Sequence, residues 1–211
     1  VEYQLEGITQ VQVDANYGLS FADGLRSILR QDPDVIMVGE IRDSLTAQIA
    51  IRAAMTGHVV LSTLHTNTAL GAIDALVNLG MVRFMLAGSL LGIISQRLLR
   101  VLCEHCKQPA KLTPELRMEL GIDKDKRKSI RRAEGCEECL KTGYLGRTGV
   151  FEAICVTDKL RPLLIEHHRI EDLEAAARAE GMMSLQQAAA EKVLAGVTSV
   201  DEVRRKILME I

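Results

Sequence analysis

The sequence is poor in several things. Of 211 residues none is Trp, and only three are Phe and three Tyr. With so few aromatics, a surface that binds single strands by stacking bases has little to build with. The formal net charge is −2, so a generally basic nucleic-acid binder is disfavoured. Nothing reaches the roughly 18 consecutive apolar residues that a membrane-spanning helix needs. The longest candidate, Met85 to Ile94, is interrupted by Gly88, Ser89 and Gly92. No positively charged and then apolar signal segment opens the chain. The first residue is Val, in mid-pattern, which suggests a fragment whose upstream part has been removed. Five cysteines without a signal peptide point to a reducing compartment, where thiols serve metals more often than disulfides.

Hydrophobic residues make up 47% and charged residues 26%, as in a packed globular chain of one to two domains. Three segments are expected: 1–102, alternating strand-like and helix-like pieces; 103–147, bounded by cysteine pairs and rich in charge; and 148–211, a strand followed by a small helical bundle. In the first, Val11 and Val13 alternate with Gln10 and Gln12, as in a half-buried strand. Ser20 can cap a helix whose apolar face is Phe21, Leu25, Ile28 and Leu29, with Arg26 and Arg30 on another face. Asp32-Pro33 stops it. Val35–Val38 and Val59–Thr63 read as strands buried on both faces, joined by a helix that Asp43 or Ser44 caps and Gly57 ends. That is a βαβ unit.

Ligands of open α/β sheets bind beyond the carboxyl ends of the strands. Glu40 and His65 leave the two strands at that edge, whereas His58 precedes its strand and belongs at the opposite one. After Thr68, a helix cap, helical stretches run from Ala69 to about Leu102. Thr113-Pro114, Ser184-x-x-Gln187 and Ser199-x-x-Glu202 carry helix-start signals.

Cys103-Glu-His-Cys106 and Cys136-Glu-Glu-Cys139 are two C-x-x-C knuckles separated by 29 residues. Two such turns complete a four-sulfur site suited to structural Zn²⁺, with no open coordination position for catalysis. Two disulfides, or free thiols, are the alternatives. His105 is expected at the surface and Cys155 in the core. Residues 107–132 hold nine Lys/Arg against four Asp/Glu, which suits an acidic partner or anionic lipid heads, or simply a solvated insertion.

The strings Leu25-Arg-Ser-Ile-Leu-Arg-Gln-Asp-Pro-Asp34, Val35-Ile-Met-Val-Gly-Glu-Ile-Arg-Asp43 and Thr56-Gly-His-Val-Val-Leu-Ser-Thr-Leu-His-Thr-Asn67 resemble the Walker B and His boxes of the secretion ATPase family. That family comprises type II secretion ATPases and type IV pilus assembly and retraction ATPases. The paired cysteines place the likeness nearest the secretion and pilus assembly branch. The resemblance implies a RecA-like α/β fold, a parallel sheet carrying an inserted tetracysteine zinc module and a C-terminal helical bundle. It implies a homo-hexameric ATPase working with Mg²⁺ and ATP at the cytoplasmic face of the inner membrane, on the platform and cytoplasmic partners of a secretion or pilus machine. Glu40 would be the Walker B carboxylate, and His65 a sensor of the γ-phosphate. Arg26, Arg30 and Arg42 would meet nucleotide across subunit boundaries, their bland alternative being solvated surface arginines. His58 belongs to the His box but is equally a structural or interface histidine.

One family element is missing. No G-x-x-x-x-G-K-[ST] phosphate loop and no Gly-Lys pair occurs. In the family that loop lies upstream, as does an Asp box whose tail Val1-Glu2-Tyr3 resembles, Glu2 being a weak candidate there. These 211 residues alone are therefore expected neither to bind ATP tightly nor to hydrolyse it. The competing readings are a nucleic-acid-binding zinc ribbon and a non-enzymatic scaffold.

Overall fold

A computed structural model describes residues 1, 3–14, 18–122, 129–166 and 169–209. Glu2 and residues 123–128 of the basic segment lie outside the described residues. The chain divides into two compact units. The first comprises Val1–Thr66, Leu70–Leu91 and Val156–Glu174; the second comprises Asn67–Ala69, Gly92–Cys155 and Ala175–Ile211.

The first unit contains the βαβ element. Helix α1 (Phe21–Ile28) starts at Ser20, whose hydroxyl accepts the Asp23 amide. It tightens into a 3₁₀ turn over Leu29–Gln31 and stops at Asp32, which is left-handed with φ +52°. Strand β1 (Val35–Val38) runs parallel to β2 (Val59–Ser62), with α2 (Ser44–Met55) between them. Asp43 caps α2 through the Thr46 amide, and Gly57, at φ +105°, turns the chain out of it. The core is Leu25, Ile36, Val38 and Ala50, flanked by Phe21, Ile28, Leu29 and Val60.

Expected burial of both strand faces is not observed. Val35, Met37, Val59 and Leu61 are exposed. The described sheet here has two strands, and the helical residues of its core meet only the face of Ile36 and Val38. Val11 and Val13 form no strand either. Only an isolated bridge, Asp14 to Leu19, follows them, and Val11 is exposed.

Helices α3 (Gly71–Asn78) and α4 (Arg83–Ser89) follow. Thr68 does not cap α3, whose N-cap is Leu70. Helix α6 (Leu160–Ile165) packs on α4 in this unit.

The second unit corrects the reading of residues 92–102. They form an 11-residue strand, β3 (Gly92–Leu102), not helix. It pairs antiparallel with β6 (Tyr144–Cys155), from Gly92 opposite Cys155 to Leu102 opposite Tyr144. Gln-Arg-Leu-Leu-Arg is helix-prone in isolation, but burial of Ser95 and Leu99 on one face and pairing with β6 override that preference. Between these strands lie β4 (Gln108–Ala110), α5 (Pro114–Leu120), started by Thr113, and β5 (Ile130–Arg132), which pairs with β4. Helix α7 (Ile170–Ala179) begins in the first unit and ends in the second; α8 (Leu185–Leu194) follows and carries the full capping box of Ser184 and Gln187. Then come α9 (Val200–Val203) and a π turn over Arg204–Leu208.

Helices α8 and α9 do not make a bundle of their own. Ala189, Val193 and Val203 pack with Leu99, Leu120, Ile130 and Val150 in one core. The same alternation along β6 turns Cys155 outward; it is exposed, not buried as expected. No described helix is long and apolar enough to cross a membrane.

Candidate functional site

The parallel pairing of β1 and β2 extends past their carboxyl ends. The Ile41 amide donates to the Thr63 carbonyl at 3.1 Å, and the Thr63 hydroxyl donates to the Gly39 carbonyl at 2.7 Å. This ladder sets Glu40 beside His65, with Nε2 3.2 Å from Oε2. Arg42 Nε donates to the same oxygen at 2.6 Å. Glu40 is therefore a half-buried carboxylate, 22% exposed along its side chain. The Arg42 hydrogen bond holds it below its ordinary pKa, burial opposes this, and His65 adds to the lowering. An ionised acid at a strand end, next to an imidazole and a permanent cation, can orient water and hold a divalent cation.

Arg26 and Arg30 are not brought into this group. Arg26 pairs with Asp23 one turn earlier on α1, at 3.2 Å, and Arg30 is exposed in the 3₁₀ turn. His58 lies at the amino edge of β2, away from Glu40. Its Nδ1 is 3.1 Å from the Ala53 carbonyl and 3.2 Å from the Thr56 hydroxyl, so it closes the last turn of α2.

In the second unit the four cysteines converge. Cys103 Sγ is 3.9 Å from Cys136 Sγ, Cys106 Sγ is 3.8 Å from Cys139 Sγ, and Cys136 Sγ is 3.7 Å from Cys139 Sγ. All four sulfurs lie within 4.8 Å of one another. Sulfurs held about 2.3 Å from a central ion in a tetrahedron stand about 3.8 Å apart, so the set fits one Zn²⁺. Disulfides, which bring sulfurs to about 2.0 Å, are not formed; all five cysteines are free. Backbone amides already face the sulfurs: Gly135 donates to Cys106 at 3.3 Å, Cys136 to Cys139 at 3.2 Å and Gly143 to Cys139 at 3.1 Å. Burial pushes the Cys106 thiol up to about 11. Burial also acts upward on Cys139, but amide donors and neighbouring thiols outweigh it and bring it down to about 6. His105 is exposed and outside the set.

Two buried acids were not anticipated as such. Glu152 is buried on β6, and Glu202 is fully buried on α9. A glutamate inside the apolar run Val150–Val156 is the one signal that pointed to the first. Glu202 was expected only as the second half of a capping box. Ser199 does cap its amide, but the Glu202 carboxylate turns to Arg100 and Arg205.

Residues 1–205 match the family described as "Type II/IV secretion system protein". The Type II secretion system protein E of Pseudomonas aeruginosa is 49% identical over 205 residues, covering 97% of this chain and 41% of the relative. The type IV pilus assembly ATPase PilB of Thermus thermophilus is 45% identical over 205 residues, covering 96% of this chain and 23% of the relative. This chain thus spans less than half the length of such relatives. Among solved structures, the pilus retraction motor PilT with bound ADP is 30% identical, with a TM-score of 0.61 over 88% of this chain and 43% of that one. The ATPase DotB of Legionella pneumophila shares the fold, with a TM-score of 0.62 over 91% of this chain and 43% of that one at 22% identity. The α/β fold is therefore the RecA-like one of these ATPases, and the chain belongs to the Type II/IV secretion system protein family.

Proposed function

We propose that these residues are the acid-and-histidine part of a hexameric ATPase motor that powers type II secretion or type IV pilus assembly at the inner membrane. The observation that carries this reading is the 3.2 Å meeting of Glu40 and His65 at the carboxyl edge of two parallel strands, in a chain whose relatives include a pilus assembly ATPase. Bound Mg²⁺-ATP would supply the phosphoanhydride bond that is broken. Glu40, kept ionised by Arg42, orients the attacking water and the cation. His65 offers its ring to the terminal phosphate. Arg42 binds Glu40 through Nε and would meet nucleotide across a subunit boundary through its other guanidinium nitrogens. Arg26 and Arg30 serve the same subunit boundary, and His58 supports the fold. The four cysteines hold a structural Zn²⁺.

Phosphate release tests the reading. The 211 residues alone, which hold no G-x-x-x-x-G-K-[ST] string, are expected to release none from ATP. A polypeptide that joins them to such a loop is expected to turn over. In it, Glu40→Gln should cut kcat by about 100-fold or more, the range for losing a positioned base. Turnover by the 211 residues alone would overturn their inactivity, and an unaffected Glu40→Gln variant would overturn the role of Glu40.

A further inference from the structure

The four clustered cysteines are not equivalent. All belong to the second unit. Backbone amides serve one sulfur of each knuckle: Gly135 donates to Cys106 Sγ at 3.3 Å, and Cys136 and Gly143 donate to Cys139 Sγ at 3.2 and 3.1 Å. Among the described residues, Cys103 and Cys136 Sγ have only other sulfurs as hydrogen-bonding neighbours. An N–H bond draws electron density from a thiolate and makes it a poorer nucleophile. The two sulfurs without one are therefore the more reactive, and they lie 3.9 Å apart across the knuckles. Burial separates them in turn. Cys103, Cys106 and Cys139 are buried, whereas Cys136 is half-buried. One thiol is thus reachable from solvent and a second stands behind it, the arrangement of an attacked and a resolving cysteine.

We propose that Cys136 is a peroxide-reactive modification site and that Cys103 is its resolving partner. The inference rests on the reading of the four cysteines as zinc ligands, because ligation keeps them deprotonated. Peroxide is small enough to reach a half-buried sulfur that a bulky thiol reagent does not. The Cys136 thiolate attacks one oxygen of hydrogen peroxide; an S–O bond forms, the O–O bond breaks and hydroxide leaves. The Cys103 thiolate then attacks the Cys136 sulfur; an S–S bond forms, the S–O bond breaks and a second hydroxide leaves. The two sulfurs have lost two electrons and the peroxide has gained them, and solvent protons turn both hydroxides into water. The sulfurs close from 3.9 Å to about 2.0 Å. Cys139 is as near to Cys136, at 3.7 Å, but its two amide donors make it the slower partner. Oxidation leaves Cys106 and Cys139 as two ligands where a structural site needs four. A dithiol reductant reverses the step.

The test uses the 211-residue chain, its zinc content measured beforehand. Hydrogen peroxide is added below one equivalent, the reaction is stopped with acid, and the disulfides are mapped by mass spectrometry while a chromogenic chelator follows free zinc. The first disulfide is expected to link Cys103 with Cys136, and zinc should appear in an amount equal to it. Dimedone present from the start should divert Cys136 to its sulfenic adduct and suppress that disulfide. Dithiothreitol followed by zinc should restore the loaded chain. Cys155→Ser, which removes the exposed thiol, should release zinc at an unchanged rate. The proposal is overturned by a first disulfide between any other pair, by a dimedone adduct on another of the four sulfurs, by zinc release that needs Cys155, or by zinc that stays bound while Cys155 is oxidised. A chain isolated without zinc would remove the metal reading instead, and mapping its first disulfide would still decide whether Cys103 and Cys136 are the reactive pair.

Discussion

Elemental analysis of the chain, grown with zinc available and purified without chelator, is expected to find one zinc per molecule. Stripping it should cost more stability than any single exposed substitution. Among the described residues the four cysteine side chains form a hydrophobic cluster of their own, and their sulfurs lie at the spacing that one tetrahedral ion would span. The knuckles also close the far end of the β3–β6 pair, where the Cys103 amide donates to the Gly143 carbonyl at 2.9 Å. Structural zinc binds isolated finger peptides with about 10–16 kcal/mol. If even about 5 kcal/mol of that is felt by the folded chain, chelation lowers Tm by roughly 10–20 °C for a protein of this size. Cys103→Ser or Cys139→Ser should abolish the stoichiometric metal and reproduce the loss. Cys155 supplies an internal control, because it is exposed. A thiol reagent should label it with or without metal, and the other four cysteines only after chelation. A zinc-free preparation, or a melting curve indifferent to chelator, removes the metal centre.

The local signals in this chain were the legible ones. Ser20, Asp43, Thr113 and Ser184 each cap the helix their neighbours announce, because a cap is an interaction across three residues. The edge shared by Glu40 and His65 was legible as well, since parallel pairing of two apolar strands leaves no other place for the residues that follow them. The cysteine convergence was legible from spacing alone.

What failed depended on partners far away in sequence. Residues 92–102 carry a helix-prone string, and only β6, some fifty residues later, makes them a strand. Cys155 lies in an apolar run, but period-2 alternation decides its side, and that can be read only once the run is known to be a strand. Val35 and Met37 looked like core because continuous apolar strands are usually covered on both faces; in the described residues one face has no cover. Glu152 and Glu202 were passed over for the same reason, because their partners, Ala69 and Arg100, are distant along the chain.

Replacing Glu202 with Ala is expected to cost about 3 kcal/mol, the scale of removing one partner from a buried ion pair. Its carboxylate is completely inaccessible to solvent. It accepts the Arg100 amide at 3.0 Å and Arg100 Nε at 2.8 Å, and Arg205 Nη2 lies 2.8 Å from Oε1. Arg100 in turn stacks 4.0 Å above the Tyr144 ring, and the Tyr144 hydroxyl sits 2.6 Å from that of Ser199. One acid thus joins α9 to both strands that lead to the cysteine knuckles. Burial by itself would raise the Glu202 pKa, but the bonds from Arg205 and Arg100 outweigh it and bring it from 4.5 to about 2. A depressed acid contributes stability that is complete above its unfolded pKa and is lost as pH falls towards the folded one. The contribution should therefore fade between about 4.5 and about 2. Both guanidiniums are partly open to solvent, so screening reduces it to about 2 kcal/mol. Acid would also release a zinc ion held by the four cysteines, by protonating their thiolates, which would make the wild-type curve a sum of two losses. The difference between wild type and Glu202→Gln isolates the acid: in chemical denaturation followed by circular dichroism, the gap should be constant near neutrality and close as pH drops through that window. A gap that persists undiminished at pH 2 would show that Glu202 stabilises the unit by packing and neutral hydrogen bonds, and not by its charge.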